Sequence, residues 1–150
     1  MLVSIDGSTR KTGMALFDGD KYVDSILIDL SKDKAQTDER ISTMGLKIWN
    51  QLNQWNPDVV YIEEPKGHSN IDLVRKLSEI LGMVRAWCIT HLAIYREIKP
   101  SEWRARLGFK QGTTKREELK QESMDYVKVR YGLDVSDDEA DAICIGVAAI

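Results

Sequence analysis

Four acidic residues, in three separate parts of the sequence, are candidates for metal chemistry. Asp6 and Glu63 each follow a short apolar run directly, so each is expected at the end of a core strand. Asp138 and Asp141 are three residues apart near the C-terminus, a spacing that places both on one face of a helix. Any one of them could be an ordinary solvated acid, but their positions together predict a shared site.

The helix that carries Asp138 and Asp141 is the more informative part of this pattern. Its face continues through apolar residues that must turn toward the sheet: Ala142, Ile145, Ala148 and Ala149. Two acids on a buried face repel each other and raise each other's pKa, and no Lys or Arg follows Arg130 to neutralise them. A divalent cation is the simplest remedy. The alternative is helix capping, worth about 0.3–1 kcal/mol, which explains Asp137 or Asp138 better than Asp141.

The chemistry of these ligands indicates which ion would bind. A carboxylate cluster without Cys or His at ligand spacing favours hard ions, Mg²⁺ or Mn²⁺, over zinc. Two such ions roughly 3.5–4 Å apart can activate a water and stabilise the leaving oxygen in an in-line displacement. The four carboxylates therefore predict metal-dependent hydrolysis of phosphodiester bonds.

The pattern of apolar residues predicts the order βββαβαβ followed by further helices. The predicted strands cover residues 2–5, 14–17, 21–30, 59–62 and 94–98, and the predicted helices cover 37–55, 71–92 and 100–107, with two more starting at 113 or 114 and at 137 or 138. A strand meander that leads into strands separated by helices predicts one mixed sheet with helices on its faces. In such sheets, ligands bind where strand ends meet helix ends, and this is where the acids fall.

The overall composition fits one globular domain spanning residues 1–150. The sequence is 43% hydrophobic and 30% charged, which is ordinary for a compact domain. Two cysteines lie within apolar helical patterns, and the sequence shows neither a signal-peptide pattern nor an apolar stretch long enough for a membrane span. These features predict a cytoplasmic protein of a bacterium or a phage-infected host, with no membrane partner.

Three sequence segments together resemble a known family. They are V-S-I-D-G-S-T-R-K-T-G at 3–13, Y-I-E-E at 61–64 and D-E-A-D-A-I-C-I-G at 138–146. In this order they resemble the RuvC-type Holliday junction resolvases of the RNase H-like superfamily, across essentially the whole chain. The resemblance implies a five-stranded mixed sheet, with three antiparallel strands and then two parallel ones, flanked by helices on both faces.

The resemblance also assigns roles to the acids. It implies that Asp6, Glu63, Asp138 and Asp141 are the catalytic residues and the ligands of two Mg²⁺ ions, for which Mn²⁺ could substitute. It further implies a homodimer that binds four-way DNA junctions and nicks two strands symmetrically. The long helix from residue 71 carries more apolar surface than one sheet-facing stripe needs, which is consistent with a dimer contact.

The sequence departs from the family at three points. Gly7-Ser8 stands where the family usually has Pro-Gly, and Glu64 beside Glu63 adds a second acid, which strand alternation should send to the opposite face. The loop at 65–70 lacks an aromatic residue that could wedge into an opened junction. We therefore expect a phage-type or divergent member with weak or absent sequence preference at the cut site.

Basic residues predict where DNA binds, although the net charge is −3. Seven of them fall between 96 and 116, against two acids, and form a cationic segment able to follow a phosphate backbone. Lys115 matches a family lysine near the scissile phosphate. The predicted DNA-binding residues are Arg10, Lys66, Arg104, Arg106, Lys110, Lys115 and Arg116.

Other functions remain open from the sequence. The D-G-S-T opening at 6–9 also resembles the first phosphate loop of the sugar kinase and actin superfamily, which needs two such domains. A YqgF-like or ribonuclease H-type nuclease acting on RNA would share the fold, and Ile62-Glu63 favours RuvC over YqgF. A non-catalytic module for branched DNA is the third alternative.

Overall fold

The computed structural model describes residues 1–65, 70–112 and 114–150. The strands are β1 (Leu2–Asp6), β2 (Lys11–Asp18), β3 (Lys21–Asp29), β4 (Val59–Glu63) and β5 (Ile94–Ile98). The helices are α1 (Thr37–Trp55), α2 (Ile71–His91), α3 (Pro100–Arg106), α4 (Arg116–Tyr131) and α5 (Asp137–Ala149).

The five strands form one mixed sheet in the order β3-β2-β1-β4-β5. Strands β1, β2 and β3 pair antiparallel, whereas β1, β4 and β5 pair parallel. This confirms the predicted sheet of three antiparallel strands followed by two parallel ones. The parallel pairs follow from the connections, because a helix must carry the chain back across the sheet before a parallel strand can begin.

The predicted start of β2 at residue 14 was wrong, because the strand begins at Lys11. Lys11 already pairs with Asp29 of β3, and Gly13 pairs with Asp6 of β1. The polar turn is thus shorter than its sequence suggests. Ser8 closes it, since its hydroxyl accepts hydrogen bonds from the backbone N–H groups of Arg10 and Lys11 at 3.1 Å.

Helices cover both faces of the sheet, as predicted. Strand residues such as Val3, Ile5 and Ile62 pack with α1 and α2 in one core cluster. Strand residues of the opposite orientation, including Ala15 and Phe17, pack with α3, α4 and α5 in a second cluster. Both clusters follow from the alternation of side chains along each strand.

Helix α5 lies directly against the sheet and is buried around most of its circumference. Residues such as Ala142, Ile143 and Cys144 are fully buried, a broader apolar surface than the predicted stripe. Gly146 permits the close approach, since a Cβ there would lie 2.1 Å from the Phe17 ring. The C-terminal half of α5 therefore packs closely against the strands.

Two predicted helix caps were wrong. The N-cap of α5 is Ser136, whose hydroxyl accepts the backbone N–H of Glu139 at 3.3 Å, so neither Asp137 nor Asp138 is the cap. The N-cap of α4 is Lys115, without a side-chain hydrogen bond; Thr113 lies outside the described residues. Asp137, Asp138 and Glu139 follow the cap in the first turn of α5, where the helix dipole favours acids, whereas Asp141 lies beyond that turn.

Two further expectations concern the cysteines and membranes. Cys88 and Cys144 are both buried with free thiols, as expected of small buried side chains. In the part of the chain that the structure describes, no helix combines the length and apolar character needed to cross a bilayer.

Candidate active site

Two neighbouring parallel strands bring Asp6 and Glu63 together. Ile5 of β1 is aligned with Ile62 of β4. The next residue of each strand, Asp6 and Glu63, therefore lies at the C-terminal end of its strand, beside the other. Adjacent strands are about 4.8 Å apart. Ile5 and Ile62 are buried against α1 and α2, so alternation directs the two acids toward the face covered by α5.

The opposite side of the site is the first turn of α5. The Ser4 hydroxyl, which points to the same face as Asp6, donates a 2.6 Å hydrogen bond to the Ala142 carbonyl. Nearer the site, a Cβ on Gly13 would lie 2.1 Å from the Asp138 carbonyl oxygen. Since Gly13 is the cross-strand partner of Asp6, glycine there allows the start of α5 to approach the strand that carries Asp6.

The electrostatics of Asp6 indicate that the other three carboxylates lie near it. Burial raises the pKa of Asp6 well above its ordinary value, and repulsion from Glu63, Asp141 and Asp138 raises it further. No Lys, Arg or His within the described ranges forms an ion pair with Asp6. Asp6 is therefore a half-buried acid whose strongest electrostatic neighbours carry its own sign of charge.

Asp141 has a cationic partner. The Arg104 guanidinium lies 3.5 Å from Asp141 Oδ2, with side-chain exposures of 9% for Arg104 and 15% for Asp141. Burial raises the pKa of Asp141, and Ser123 and Arg104 oppose this rise. Among the described residues, neither Asp141 Oδ1 nor Arg104 Nε, both buried, has a hydrogen-bond partner. Such orphaned polar atoms are costly and leave capacity to bind a further polar or charged group.

Asp137 and Asp138, in the first turn of α5, interact with cations of α4 and β2. Lys120 forms an ion pair with Asp137, and this bond lowers the pKa of Asp137 although burial opposes it. Burial raises the pKa of Asp138, with Asp137 adding to the rise and Lys120, Lys11 and Arg116 opposing it. The first turn of α5 thus lies in a more positive environment than Asp6 does.

Helix α3 supplies a direct partner for Glu63. The indole Nε1–H of the fully buried Trp103 donates a 2.6 Å hydrogen bond to Glu63 Oε2. The next residue, Arg104, places its guanidinium carbon 4.2 Å from the centre of the Trp103 ring. One short helix therefore contacts Glu63 through Trp103 and Asp141 through Arg104.

The donor set fits hard divalent cations, although the side chains do not already form a coordination shell. Over residues 1–65, 70–112 and 114–150, no three His, Cys, Asp or Glu side chains stand in an arrangement that could hold an ion. The fit comes instead from the chemistry of Asp6, Glu63, Asp138 and Asp141: hard oxygen donors, raised pKa values in three of them, and the orphaned oxygen of Asp141.

Glu64 is directed away from this cluster. It lies with Pro65 in a groove lined by α2 residues, including Val74 and Leu81, and by Tyr95 of β5. This is the sheet face opposite α5, as strand alternation predicts for the residue after Glu63. Glu63 is therefore the acid of this pair that belongs to the cluster.

The predicted DNA-binding residues fall in different places. Arg10, Lys110, Lys115 and Arg116 are exposed, and the charge of Arg116 reaches Asp138. Arg104 is buried within the site rather than exposed on its rim. Lys66 lies outside the described residues. DNA contact by each of these residues stays a prediction.

Arg106, at the end of α3, contacts the end of α5 that is far from the carboxylates. Its guanidinium donates to the carbonyl of Ala148, near the C-terminal end of that helix, at 2.9 Å and to Glu102 at 2.5 Å. The carboxylates lie at the N-terminal end of the same helix. A DNA contact by Arg106 would therefore be well separated from the cluster.

Sequence reasoning did not identify Trp103, Lys120 or Lys11 as members of the site. Lys120 follows Arg116 by four residues, which places both on one face of α4, and this spacing could have indicated it. Trp103 had no such signal. The absence of cations after Arg130 was also misleading, since Arg104 and Lys120 reach the acids of α5 from α3 and α4.

Comparisons with known proteins give a structural match and no sequence match. No protein-family model matches the chain, and no curated protein does. The Thermus thermophilus RuvC structure in complex with Holliday junction substrate matches with a TM-score of 0.76 at 18% identity, covering 98% of this chain and 90% of that one.

Two resolvases from other sources also match. The Fowlpox virus resolvase in complex with substrate Holliday junction DNA has a TM-score of 0.65 at 17% identity, covering 99% of this chain and 95% of that one. The yeast mitochondrial Holliday junction resolvase has a TM-score of 0.61 at 16% identity, covering 98% and 76%. The chain therefore has the RNase H-like fold of the RuvC-type Holliday junction resolvases.

Proposed function

We propose that this protein is a metal-dependent endonuclease that resolves four-way DNA junctions and related branched DNA. One observation carries the proposal: β1, β4 and α5 bring Asp6, Glu63, Asp138 and Asp141 to one end of the sheet, where burial and then repulsion from the other acids raise the pKa of Asp6. The Thermus thermophilus and Fowlpox virus proteins, which share this fold, were solved with Holliday junctions.

The four carboxylates are the proposed ligands of two Mg²⁺ ions, for which Mn²⁺ would substitute. When bound, the ions would supply Lewis-acid activation of water and stabilisation of the leaving oxygen. Asp6 and Glu63 would hold the strand side of this centre, and Asp138 and Asp141 the helix side. The orphaned Oδ1 of Asp141 supports this assignment, since it has lone pairs available.

The surrounding cations have separate proposed roles. Arg104 would favour the ionised form of Asp141, because its positive charge opposes the rise that burial causes in the pKa of that acid. Lys115 and Arg116, exposed at the start of α4, would contact the phosphate backbone near the site, and Arg10 would do so from the turn after β1. Lys110 would extend the proposed DNA surface, and a contact by Arg106 would lie farther away. A DNA contact by Lys66 is proposed from the sequence alone.

The working form that we propose is a homodimer of single nuclease domains, residues 1–150, in the cytosol. A two-fold dimer matches a two-fold junction and would place one active site on each of two strands. Sedimentation that shows only monomer at micromolar concentration, both with and without junction DNA, would contradict this part of the proposal.

A cleavage panel tests the activity. Purified protein is incubated with labelled four-way junction, flap, linear duplex and RNA/DNA hybrid, each with Mg²⁺ or with EDTA. We expect paired symmetric nicks in the junction with Mg²⁺ only, and loss of nicking in Asp6→Asn and Asp141→Asn.

Each other outcome of the panel identifies a different function. Cleavage of the hybrid alone would replace junction resolution with ribonuclease H-type activity. Junction binding that Mg²⁺ does not alter, without nicking, would identify a non-catalytic binding module. Full activity in both Asp→Asn variants would overturn the assignment of the site.

A further inference from the structure

We infer that Trp103 is a positioning residue of the carboxylate cluster, whose indole N–H fixes Glu63 for ion binding. The inference rests on the proposed function, because it assigns Glu63 to a metal centre. Its basis is the hydrogen bond of 2.6 Å from Trp103 Nε1 to Glu63 Oε2, between residues 40 positions apart.

The geometry of this contact makes it suited to orient a ligand. An ionised carboxylate accepts hydrogen bonds at about four lone-pair sites, so Glu63 can accept the indole N–H and still coordinate a cation. A glutamate side chain has three rotatable bonds, so a hydrogen bond to its carboxylate narrows the positions that it can adopt. Trp103 is suited to this role because its own ring is fully buried.

The packing of Trp103 explains how the donor itself is held. Its ring contacts Phe109 edge-on, with centroids 6.0 Å apart, and Phe109 contacts Tyr126 of α4 in the same way at 5.3 Å. Arg104 lies over the Trp103 ring at 4.2 Å. The donor is thus fixed by an aromatic cluster that joins α3 to α4, outside the carboxylate cluster.

Tryptophan is chemically suited to this position. The indole donates one hydrogen bond and carries no charge, so it orients Glu63 without competing electrostatically with a cation. A lysine or arginine at the same point would neutralise Glu63 directly. The neutral donor therefore orients the acid without itself cancelling the negative charge.

A matched pair of variants isolates this role. Trp103→Phe keeps an aromatic ring in the core but removes the N–H donor. Trp87→Phe is the control, because Trp87 is also fully buried and donates through Nε1 at 2.8 Å, to Asn53 far from the cluster. Both variants lose the same ring atoms and one hydrogen bond, so a purely structural role predicts equal effects.

Calorimetric titration with Mn²⁺ on the full chain, without DNA, is the main readout. We expect Trp103→Phe to weaken Mn²⁺ binding by roughly 10- to 100-fold, the usual effect of losing a partner that orients a metal ligand, and Trp87→Phe to leave it unchanged. In the wild type, ¹⁵N spectra should show the Trp103 indole signal moving on addition of Mg²⁺ and in Glu63→Gln, while the Trp87 signal stays fixed.

The outcomes separate this inference from the proposed function. Equal Mn²⁺ affinity in the two Trp→Phe variants, together with lost affinity in Asp6→Asn, would overturn the role of Trp103 and leave the metal site intact. Absence of Mn²⁺ binding by the wild-type protein would overturn both.

Discussion

The strand side and the helix side of the carboxylate cluster are stabilised by different means. On the strand side, Asp6 has like charges as its strongest electrostatic neighbours, and Glu63 is held by the neutral indole of Trp103. On the helix side, Asp137 pairs with Lys120 and Asp141 with Arg104. One half of the site thus has protein cations, whereas no cation of the described residues pairs with Asp6.

This difference indicates where an ion would contribute most. A carboxylate that already has an arginine or lysine partner gains less from a metal ion than one surrounded by like charge. Asp6 is half-buried, and its raised pKa means that its ionised form is unfavourable in the folded protein. We therefore expect the strand side to depend more strongly on bound metal than the helix side.

Replacement of Asp6 should have the largest effect. Asp6→Asn is expected to reduce junction cleavage at least about 1,000-fold, the upper end of the cost of losing one electrostatic stabiliser in an active site. The metal-free protein should become more stable by about 0.5–2 kcal/mol, the usual gain from one stabilising change, because the disfavoured charge is gone. Single-turnover cleavage with Mg²⁺ and urea unfolding in EDTA measure the two effects.

The control for Asp6 is an aspartate at the exposed end of another strand. Asp18→Asn at the end of β2 should change neither cleavage nor stability. If Asp6→Asn behaved like Asp18→Asn, the two sides of the cluster would not differ in the way proposed.

Removal of the helix-side cation should have the next largest effect. Arg104→Met is expected to lower the free energy of unfolding by about 3 kcal/mol, the lower end for breaking a buried ion pair, because it leaves the Asp141 carboxylate without its cation. The double variant Arg104→Met with Asp141→Asn should recover part of this loss. Urea unfolding of the four proteins of this cycle measures the coupling, and a coupling of zero would show that Arg104 does not stabilise Asp141.

The spacing between the two sides can be changed at Gly13. Gly13→Ala would bring a Cβ against the Asp138 carbonyl, at an expected cost of about 1–3 kcal/mol from overpacking. It should also reduce cleavage, because the first turn of α5 must move away from Asp6.

Gly82 provides the matched control for this change. It lies within α2, and a Cβ at this position would meet no other atom within 4 Å, so Gly82→Ala should raise stability by about 1 kcal/mol through helix propensity. A Gly13→Ala variant as stable and as active as Gly82→Ala would contradict the close contact between β2 and α5.

The smallest expected effect is the change in the free energy of unfolding from one pH to the next. Asp6, Asp138 and Asp141 have raised pKa values in the folded protein. Each therefore stabilises the folded protein below about pH 4, the pKa of the unfolded state. This stabilisation is lost as the pH rises through the pKa of the folded state. Asp137 has a lowered pKa, so its contribution to stability changes only below about pH 4, where it is lost as the pH falls. The free energy of unfolding in EDTA should therefore fall between pH 4 and neutrality, by at most about 1.4 kcal/mol per pH unit for each proton involved.

Metal binding should reverse this trend. Because ions bind the deprotonated carboxylates, saturating Mg²⁺ should make the protein more stable as pH rises over the same range. Asp6→Asn should flatten the curve measured in EDTA more than Asp138→Asn does. Unfolding curves that do not change between pH 4 and 7 would contradict the raised pKa values.

Much of the fold followed from the sequence because its elements have strong local signals. The apolar periodicity from Thr37 predicted the extent of α1, and β5 was predicted with its observed bounds at 94–98. The short apolar runs before Asp6 and Glu63 located β1 and β4 to within one residue. Less accurate was β2, because Lys11, Thr12 and Gly13 have turn-like composition and become a strand only by pairing with β1 and β3.

The positions of the four acids could also be predicted, whereas the side chains that contact them could not. The strand ends and the spacing of Asp138 and Asp141 are local features of the sequence. The partners are tertiary features: Trp103 is 40 residues from Glu63, and Arg104 is 37 residues from Asp141. Such contacts depend on how α3 packs against β4 and α5, which no local pattern specifies.

The most direct measurement is the location of Mn²⁺ in crystals of the wild-type protein grown or soaked with MnCl₂. Anomalous difference maps should show two peaks bounded by Asp6, Glu63, Asp138 and Asp141, with Glu63 still accepting the Trp103 N–H. Crystals of Asp6→Asn under the same conditions should lose at least the peak on the strand side. A fully soaked wild-type crystal without manganese between these four carboxylates would contradict the proposed metal centre.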